Sequence, residues 1–239
     1  QITACLMFAV ATAASTPNAT FAQTAPRDSS IFRGSDATIL GVTTAGALLL
    51  FQRDQVITEW FRQSALQNNA MLKNTLTGAR LFGDPGSLAI SAAMWAGGKA
   101  FRDKNTALDG QMAFEAVAFS SAVTFVLKGV AGRARPYADS THAYNFGLGR
   151  GISGDGAYQS FPSGHTTAAF AFASAITASV ARRSPRDARI IGPLLYTAAA
   201  LTGVSRIYDH KHWASDVLLG AGIGTVGGLM TVRWHDRHP

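Results

Sequence analysis

Long apolar segments rich in Ala, Gly, Ser and Thr alternate along this chain with short connections that carry charges, Gly or Pro. Their lengths favour helices over strands, and runs of alternating Val, Ile and aromatic residues do not occur. The chain is long enough to bury one sizeable core. The pattern therefore predicts an all-α, single-domain helical bundle with about six core helices. These segments lie at 37–51, 86–98, 107–127, 164–181, 190–204 and 214–232.

A more polar segment, residues 53–76, separates the first two apolar segments. Its apolar residues, among them Val56, Trp60 and Phe61, recur at helical spacing. That spacing predicts one amphipathic helix lying on the outside of the bundle.

The first residues of the chain are small and apolar. Residues 1–22 are typical of a secretory signal peptide that is incomplete at its N-terminus, with a disordered or anchoring tail as the alternative. Residues 23–35 are then a flexible lead-in, and 36–239 form the helical domain. The single cysteine, Cys5, cannot form an intramolecular disulfide, so cysteine usage adds no support for export.

Membrane insertion is a real alternative for such apolar helices. Counted between flanking charges, however, their uncharged cores run about 12 to 16 residues, against the roughly 20 that a span needs. Glu115 interrupts the third segment, and Lys and Arg are spread almost evenly over alternate connections. The sequence therefore favours an exported, periplasmic protein, soluble or peripheral. The alternative is an integral inner-membrane protein with an outward-facing site.

The net charge of +7 suits an anionic partner. Basic residues are scattered and are not clustered with aromatic residues, so nucleic acid is a poor candidate. A phosphorylated small molecule, a lipid phosphate or an anionic membrane surface fits better. An oligomer is compatible with the sequence.

Three polar clusters stand at ends of the predicted helices. The first, "KGVAGRARPY", closes the third segment with Lys128, Arg133 and Arg135 before Pro136. Cations at a helix C-terminus are favoured by the macrodipole even without a ligand.

The second cluster is "SFPSGHTTAAF". Pro162 suits the first helical position, which would place Ser163, Gly164 and His165 in a first turn whose N–H groups have no intrahelical partner. Such a turn can bind an anion. The alternative makes Ser163 a helix cap and His165 a surface residue.

The third cluster is "SRIYDHKHWASDV", which carries Ser205, Arg206 and two histidines. His212 and Asp216 are four apart at the start of the sixth helix, so they would share a face and form a hydrogen bond. The carboxylate would fix the imidazole tautomer and leave the other nitrogen free to attack. His210 and His212 could also be a metal pair, but no further ligand cluster completes such a site.

In order, the clusters form the patterns Lys-x6-Arg-Pro, Pro-Ser-Gly-His and Ser-Arg-x5-His-x3-Asp. This tripartite pattern resembles the phosphatidic acid phosphatase type 2 superfamily, which includes bacterial acid phosphatases, lipid phosphatases and vanadium-dependent haloperoxidases. The resemblance implies a helical bundle that hydrolyses phosphomonoesters, either small phosphate esters or lipid phosphates. It also implies a phosphohistidine intermediate and neither metal nor cofactor.

The resemblance further implies a role for each matched residue. His212 would be the nucleophile, Asp216 its orienting partner, and His165 the acid that protonates the leaving alcohol and the base that activates water. The phosphoryl oxygens would be held by five residues, namely Lys128, Arg135, Ser163, Gly164 and Arg206. Arg133 falls inside the x6 gap of the first pattern and is therefore assigned as auxiliary or structural.

Two other functions fit parts of the pattern. A vanadate-dependent haloperoxidase-like enzyme would use the same cations with vanadate bound at His212. A non-catalytic helical protein that binds anionic lipid would need the cations. It would not need a second, opposed histidine, so the presence of both His165 and His212 argues against it.

Overall fold

The computed structural model describes residues 30–238, which form helices joined by one long and several short connections. No β-strand occurs in this range, so the all-α prediction is confirmed. The predicted signal peptide, residues 1–22, and most of the lead-in lie outside the described residues. The helices are α1 Gly34–Phe51, α2 Asp54–Phe61, α3 Ser64–Gln67, α4 Ala70–Leu81, α5 Gly86–Ala100, α6 Lys104–Ala131, α7 Gly164–Arg183, α8 Pro185–Tyr208 and α9 Ala214–Arg237.

Six of these helices, α1 and α5 to α9, run between two ends of the bundle and match the six predicted segments. The three polar clusters lie together at one end, where α6 and α8 finish and α7 and α9 begin; we call it the motif end. At the other end, the far end, α1 and α6 begin and α5, α7 and α9 finish. The long connection 132–163 crosses the motif end and contains two short 3-10 turns.

The small residues of the apolar segments allow the helices to approach closely. α7 is the central helix and packs against α6, α8 and α9. A Cβ on Gly224 of α9 would stand 2.2 Å from the Thr167 carbonyl oxygen of α7, so only glycine fits there. Ala168, Ala171 and their neighbours on the same helix are fully buried. Close backbone packing of this kind needs small side chains in a membrane as well as in water.

The predicted single amphipathic helix over 53–76 is wrong in its extent, because the segment forms three helices, α2, α3 and α4. Side-chain hydrogen bonds to backbone carbonyls stabilise the breaks. Arg62 Nη2 donates to the Pro136 carbonyl at 2.9 Å, and Gln67 Nε2 donates to the carbonyls of Phe61 and Tyr208. Asn69 then caps α4 by accepting from Leu72 N at 3.0 Å. The three helices thus lie across the motif end.

Ion pairs tie the helices together at the far end. Asp36 of α1 bonds Arg233 of α9, and Asp109 of α6 accepts from Arg183 of α7. From Asp216, at the motif end, to Arg233 is about 25 Å of helix at 1.5 Å per residue. Two polar layers are therefore separated by close to the roughly 30 Å of a bilayer's hydrocarbon core.

The expectation of a soluble or peripheral periplasmic protein is wrong. Four helices are long and apolar enough to cross a membrane, namely Gly34–Phe51, Lys104–Ala131, Pro185–Tyr208 and Ala214–Arg237. Only 11% of the residues of α1 are buried inside the protein. Water would leave that apolar surface exposed, whereas lipid covers it. The described bundle is thus that of an integral membrane protein.

The predicted segments were too short because each of them was ended at its nearest charged residue. α6 has 28 residues, which is about 42 Å of helix and more than a span requires. Two of its charged residues have polar partners. Glu115 pairs with His235 Nε2 at 2.6 Å, and Lys128 lies among the polar groups of the motif end. Charges that are paired inside a bundle do not shorten the span.

Candidate active site

The first cluster is placed by the end of α6. Gly132 adopts the left-handed conformation, with φ of 54°, and ends the helix. The chain then returns so that Lys128 Nζ donates to the Gln159 carbonyl at 2.6 Å. Arg135 Nη2 makes a longer bond, 3.4 Å, to the same oxygen. Two cations from opposite sides of the turn therefore converge on one point.

The second cluster differs in register from the sequence prediction. α7 begins at Gly164 with the fully buried Ser163 as its N-cap, so Pro162 precedes the helix and does not occupy its first position. A Cβ on Gly164 would lie 3.5 Å from Lys128 Cε. The ammonium of Lys128 therefore lies beside the free N–H groups of the first turn, an arrangement that favours an anion.

The third cluster also differs from the prediction. α9 begins at Ala214, so His212 lies before the helix and does not share a helical face with Asp216. His212 Nδ1 is 2.7 Å from the Ser160 carbonyl oxygen and 3.6 Å from Asp216 Oδ2. A carbonyl oxygen only accepts, so Nδ1 carries the proton. The lone pair is then on Nε2, the nitrogen that is free to attack.

Asp216 supports His212 in a different way from the one predicted. Its Oδ2 accepts from Trp213 N at 2.9 Å and from the Ser160 hydroxyl. Those two bonds hold the backbone on either side of the imidazole, while the carboxylate stays close enough to act on it electrostatically. Asp216 therefore orients His212 chiefly through Ser160 and Trp213.

Burial keeps the imidazole of His212 neutral. Desolvation lowers the pKa of His212 well below its usual range, and the Lys128 cation acts in the same direction, while Asp216 opposes both. His212 is 2% exposed. A neutral imidazole with a fixed tautomer is the form that a nucleophile needs.

Two arginines complete the cluster of cations. Arg206 Nη1 bonds Asp209 Oδ2 at 3.2 Å, which holds the side chain at the end of α8. Within the described part of the chain, the buried Nε atoms of Arg206 and Arg135 have no hydrogen-bond partner. Unpaired buried donors are costly, so two of them in one cluster indicate groups kept for an anionic ligand.

His165 is half-buried in the first turn of α7, beside the connection between α4 and α5. A Cβ on Gly83 would stand 3.0 Å from His165 Cβ and 2.9 Å from Thr202 Cγ2, so this glycine leaves room for the imidazole. The positive charges of Arg206, Lys128 and Arg135 lie close enough to His165 to interact electrostatically with its imidazole. The structure thus brings all eight residues of the sequence prediction to one end of the bundle.

The groups behind the candidate nucleophile were not predicted from the sequence. Arg133 was assigned as auxiliary or structural, and Asp54, Ser160 and Ser215 were not considered. All four are fully buried and linked to Asp216 directly or through one another. An isolated acidic residue just after an apolar helix, such as Asp54, is the one feature of the sequence that could have drawn attention to them.

No group of three or more His, Cys, Asp or Glu side chains that could hold a metal occurs in residues 30–238. The expectation that the reaction needs neither metal nor cofactor stays a prediction.

Comparison with known proteins identifies the helical region. The family model of the PAP2 superfamily matches residues 112–239. The lipid A 1-phosphatase of Porphyromonas gingivalis is 45% identical over 86 residues, 36% of this chain and 18% of that protein. The lipid A 1-phosphatase of Rhizobium etli is 34% identical over 123 residues, 51% of this chain and 48% of that protein. The chain spans less than half the length of these curated relatives.

The fold is similar to that of a solved membrane protein. A transmembrane PAP2-type phosphatidylglycerolphosphate phosphatase from Bacillus subtilis superimposes with a TM-score of 0.63 at 21% identity, covering 86% of this chain and 96% of that chain. This likeness concerns the fold. It agrees with the four apolar helices in contradicting a soluble periplasmic protein.

Proposed function

Because this chain belongs to the PAP2 superfamily, we propose that it is a membrane-embedded phosphatase that hydrolyses lipid phosphates through a phosphohistidine at His212. The proposal rests on one structural observation. Three cations, Lys128, Arg135 and Arg206, meet a neutral, tautomer-fixed His212 and a second histidine at one end of an apolar bundle. Phosphoryl transfer needs chiefly charge stabilisation on the phosphoryl oxygens and positioning of the attacking atom.

The reaction proceeds in two displacements. The reaction starts with His165 protonated, a state that the negative charge of the bound phosphate stabilises against the nearby cations Arg206, Lys128 and Arg135. The Nε2 lone pair of His212 attacks phosphorus while the bond to the leaving alkoxide breaks, and His165 gives that alkoxide its proton. His165, now neutral, takes a proton from water, whose oxygen attacks phosphorus as the bond to Nε2 breaks. Inorganic phosphate leaves, and both histidines return to their starting states.

The cations stabilise the negative charge that a metal ion stabilises in other phosphatases. Lys128, Arg135 and Arg206 neutralise the phosphoryl oxygens, and the N–H groups at the start of α7, with the Ser163 hydroxyl, supply further donors. Ser163 Oγ accepts from Thr166 Oγ1 at 2.9 Å, so its own proton is available to a ligand oxygen. We therefore expect hydrolysis without a divalent ion.

The position of the site favours a lipid substrate. The motif end is where α2 to α4 lie across the bundle, with Val56 and Trp60 of α2 exposed beside basic residues. Exposed apolar side chains interspersed with cations suit the headgroup region of a bilayer. A phosphate on a lipid headgroup would thus reach the site from the membrane surface.

In the sequence, Lys and Arg were spread almost evenly over alternate connections, so their number gave no orientation in the membrane. The folded chain allows a sharper count. At the motif end, Lys128, Arg133, Arg135 and Arg206 belong to the site and do not report on topology. The basic residues left at that end are Arg53, Arg62, Lys73, Arg80, Arg150 and Lys211. The far end carries the larger set, Arg33, Lys99, Arg102, Lys104, Arg182, Arg183, Arg186, Arg189, Arg233 and Arg237. By the positive-inside rule the far end is cytoplasmic, so the site faces outward.

Purified protein in liposomes is expected to release phosphate from lipid phosphates with EDTA present. Phosphatidylglycerolphosphate and lipid A 1-phosphate are the two substrates to compare, because similar proteins are named for them. A short-chain analogue of each is expected to be at least about 10-fold poorer in kcat/KM, since a buried methylene contributes about 0.8 kcal/mol. Loss of activity in EDTA that Mg²⁺ or Zn²⁺ restores would contradict the metal-independent mechanism. Equal use of short and long chains would contradict the lipid substrate.

Cysteine labelling tests the orientation. In a Cys5→Ser background, Leu148→Cys places a thiol on a highly exposed position at the motif end, and Arg186→Cys places one at the far end. A membrane-impermeant maleimide is expected to label the first variant in intact spheroplasts and the second only after permeabilisation. The reverse pattern would place the site on the cytoplasmic face.

A further inference from the structure

Arg133 is a completely buried cation at the motif end, outside the set of residues that would touch phosphate. Its guanidinium carbon lies 4.5 Å from the ring centre of Phe51, 5.1 Å from that of Phe146 and 5.3 Å from that of Trp213. Its Nε and Nη2 both donate to the Ala143 carbonyl. A charge held this far from water requires strong compensation.

Two carboxylates provide that compensation. Nη2 donates to Asp54 Oδ2 at 2.8 Å, and Nη1 donates to Asp216 Oδ1 and to the Ser215 hydroxyl at 2.8 Å. Asp54 also accepts from the Ser215 N–H at 2.9 Å and from its hydroxyl. Burial raises the pKa of the Asp54 carboxyl, and the charge of Arg133 and the bonds from Ser215 oppose that rise. Because Arg133 and both Ser215 groups donate to it, Asp54 accepts as a carboxylate. The buried group of two carboxylates and one guanidinium therefore keeps one net negative charge.

That remaining charge lies next to the candidate nucleophile. If Arg133 paired with Asp216 alone, the cation would cancel the carboxylate that faces His212. Sharing Arg133 with Asp54 leaves Asp216 able to stabilise the positive charge that His212 acquires when Nε2 bonds to phosphorus. The Arg133 backbone carbonyl also accepts from Ser160 N at 3.1 Å, so Arg133 holds the residue that fixes His212 Nδ1.

We infer that Asp54 and Arg133 are positioning residues for His212, which they orient and charge-balance through Asp216 and Ser160. Asp54 stands at the start of α2, so this network also ties the helices lying at the membrane surface to the nucleophile. The inference rests on the proposed phosphohistidine function. It adds to that function two residues that do not touch the phosphoryl group.

The test is Asp54→Asn, which keeps the size of the side chain and removes its charge. We expect kcat on an aryl phosphate to fall roughly 10- to 100-fold, the range typical of groups that orient a functional side chain. KM is expected to change less than about 2-fold, because the phosphate-binding cations are intact. Asp36→Asn is the matched control, since Asp36 is equally buried and pairs with Arg233 at the far end. It is expected to lower the melting temperature and to leave kcat unchanged.

A second readout separates positioning from general destabilisation. Orthovanadate accepts a bond from an attacking nitrogen and so reports on His212 as a transition-state analogue does. Inorganic phosphate reports on the cations alone. In Asp54→Asn the inhibition constant of vanadate is expected to rise about 10-fold or more, while that of phosphate stays within about 2-fold.

Arg133→Lys is the second variant, because lysine keeps the charge but cannot bond two carboxylates and the Ala143 carbonyl at once. It is expected to show the same fall in kcat and the same selective loss of vanadate affinity. Unchanged kcat in both variants, or equal losses for vanadate and phosphate, would overturn the positioning role. A wild-type protein that releases no phosphate would instead overturn the proposed function, and the positioning role with it.

Discussion

Replacing His212 by glutamine is expected to abolish phosphate release from any phosphomonoester. Glutamine can still donate a hydrogen bond to the Ser160 carbonyl, but it has no nitrogen lone pair to form a bond to phosphorus. The cations and the start of α7 remain, so the variant is expected to bind inorganic phosphate nearly as well as the wild type. Loss of turnover with retained binding is the result that a missing nucleophile produces.

Two measurements check this result. Wild-type protein mixed with a labelled aryl phosphate and quenched in alkali is expected to retain covalently bound phosphate, because phosphoramidates of histidine survive base. His212→Gln is expected to retain none. His235→Gln is the control, since His235 lies at the far end, paired with Glu115. Turnover by His212→Gln within a few-fold of wild type would remove the phosphohistidine mechanism.

Replacing His165 by glutamine is expected to slow hydrolysis of an alkyl or lipid phosphate by about 10² to 10⁴-fold, the usual contribution of a general acid. An alkoxide is a poor leaving group and needs a proton, which His165 donates in the proposed mechanism. A nitrophenolate leaves without help, so phosphorylation of His212 by an aryl phosphate is expected to remain fast. The size of the loss therefore depends on the leaving group.

Hydrolysis of the phosphohistidine, the second step of the proposed reaction, gives His165→Gln another measurable property. In the proposed mechanism His165 also activates the water that releases phosphate from His212, so with an aryl phosphate the phosphohistidine is expected to accumulate. A rapid-quench experiment would show a burst of nitrophenol equal to the enzyme concentration, followed by slow turnover. An equal loss for aryl and alkyl phosphates, with no burst, would place His165 outside proton transfer.

The kind and number of core helices could be predicted because apolar runs of this length, rich in small residues, form helices in any packed environment. Their ends could not, since each predicted segment stopped at its nearest charge. Lys128 and Glu115 look like interruptions in the sequence. In the folded chain Lys128 belongs to the site and Glu115 pairs with His235. The same misreading led to the wrong expectation of a soluble protein.

The division of 53–76 into three helices also depended on distant partners. Local spacing is compatible with one continuous amphipathic helix. Bonds from Arg62 and Gln67 to carbonyls far along the chain stabilise the breaks, and no local pattern encodes those carbonyls.

All eight candidate site residues could be named from the sequence, because their spacing forms a tripartite pattern of high specificity. Their detailed contacts could not. His212 and Asp216 are four residues apart, which suggested a direct bond on one helical face. The helix begins only after His212, so the imidazole bonds the Ser160 carbonyl.

The sequence by itself determined the helical class, the family resemblance and which residues are candidates for the chemistry, because these depend on side-chain type and local order. The tertiary structure alone decided that the bundle belongs in a membrane, which end carries the candidate site, and that Asp54 and Arg133 lie behind the candidate nucleophile. Those features depend on which distant groups meet and on which apolar surfaces stay uncovered. Asp54 and Asp216 reach Arg133 from far-apart positions in the chain, and only the packing of α2, α9 and the connection that follows α6 brings the three charges together.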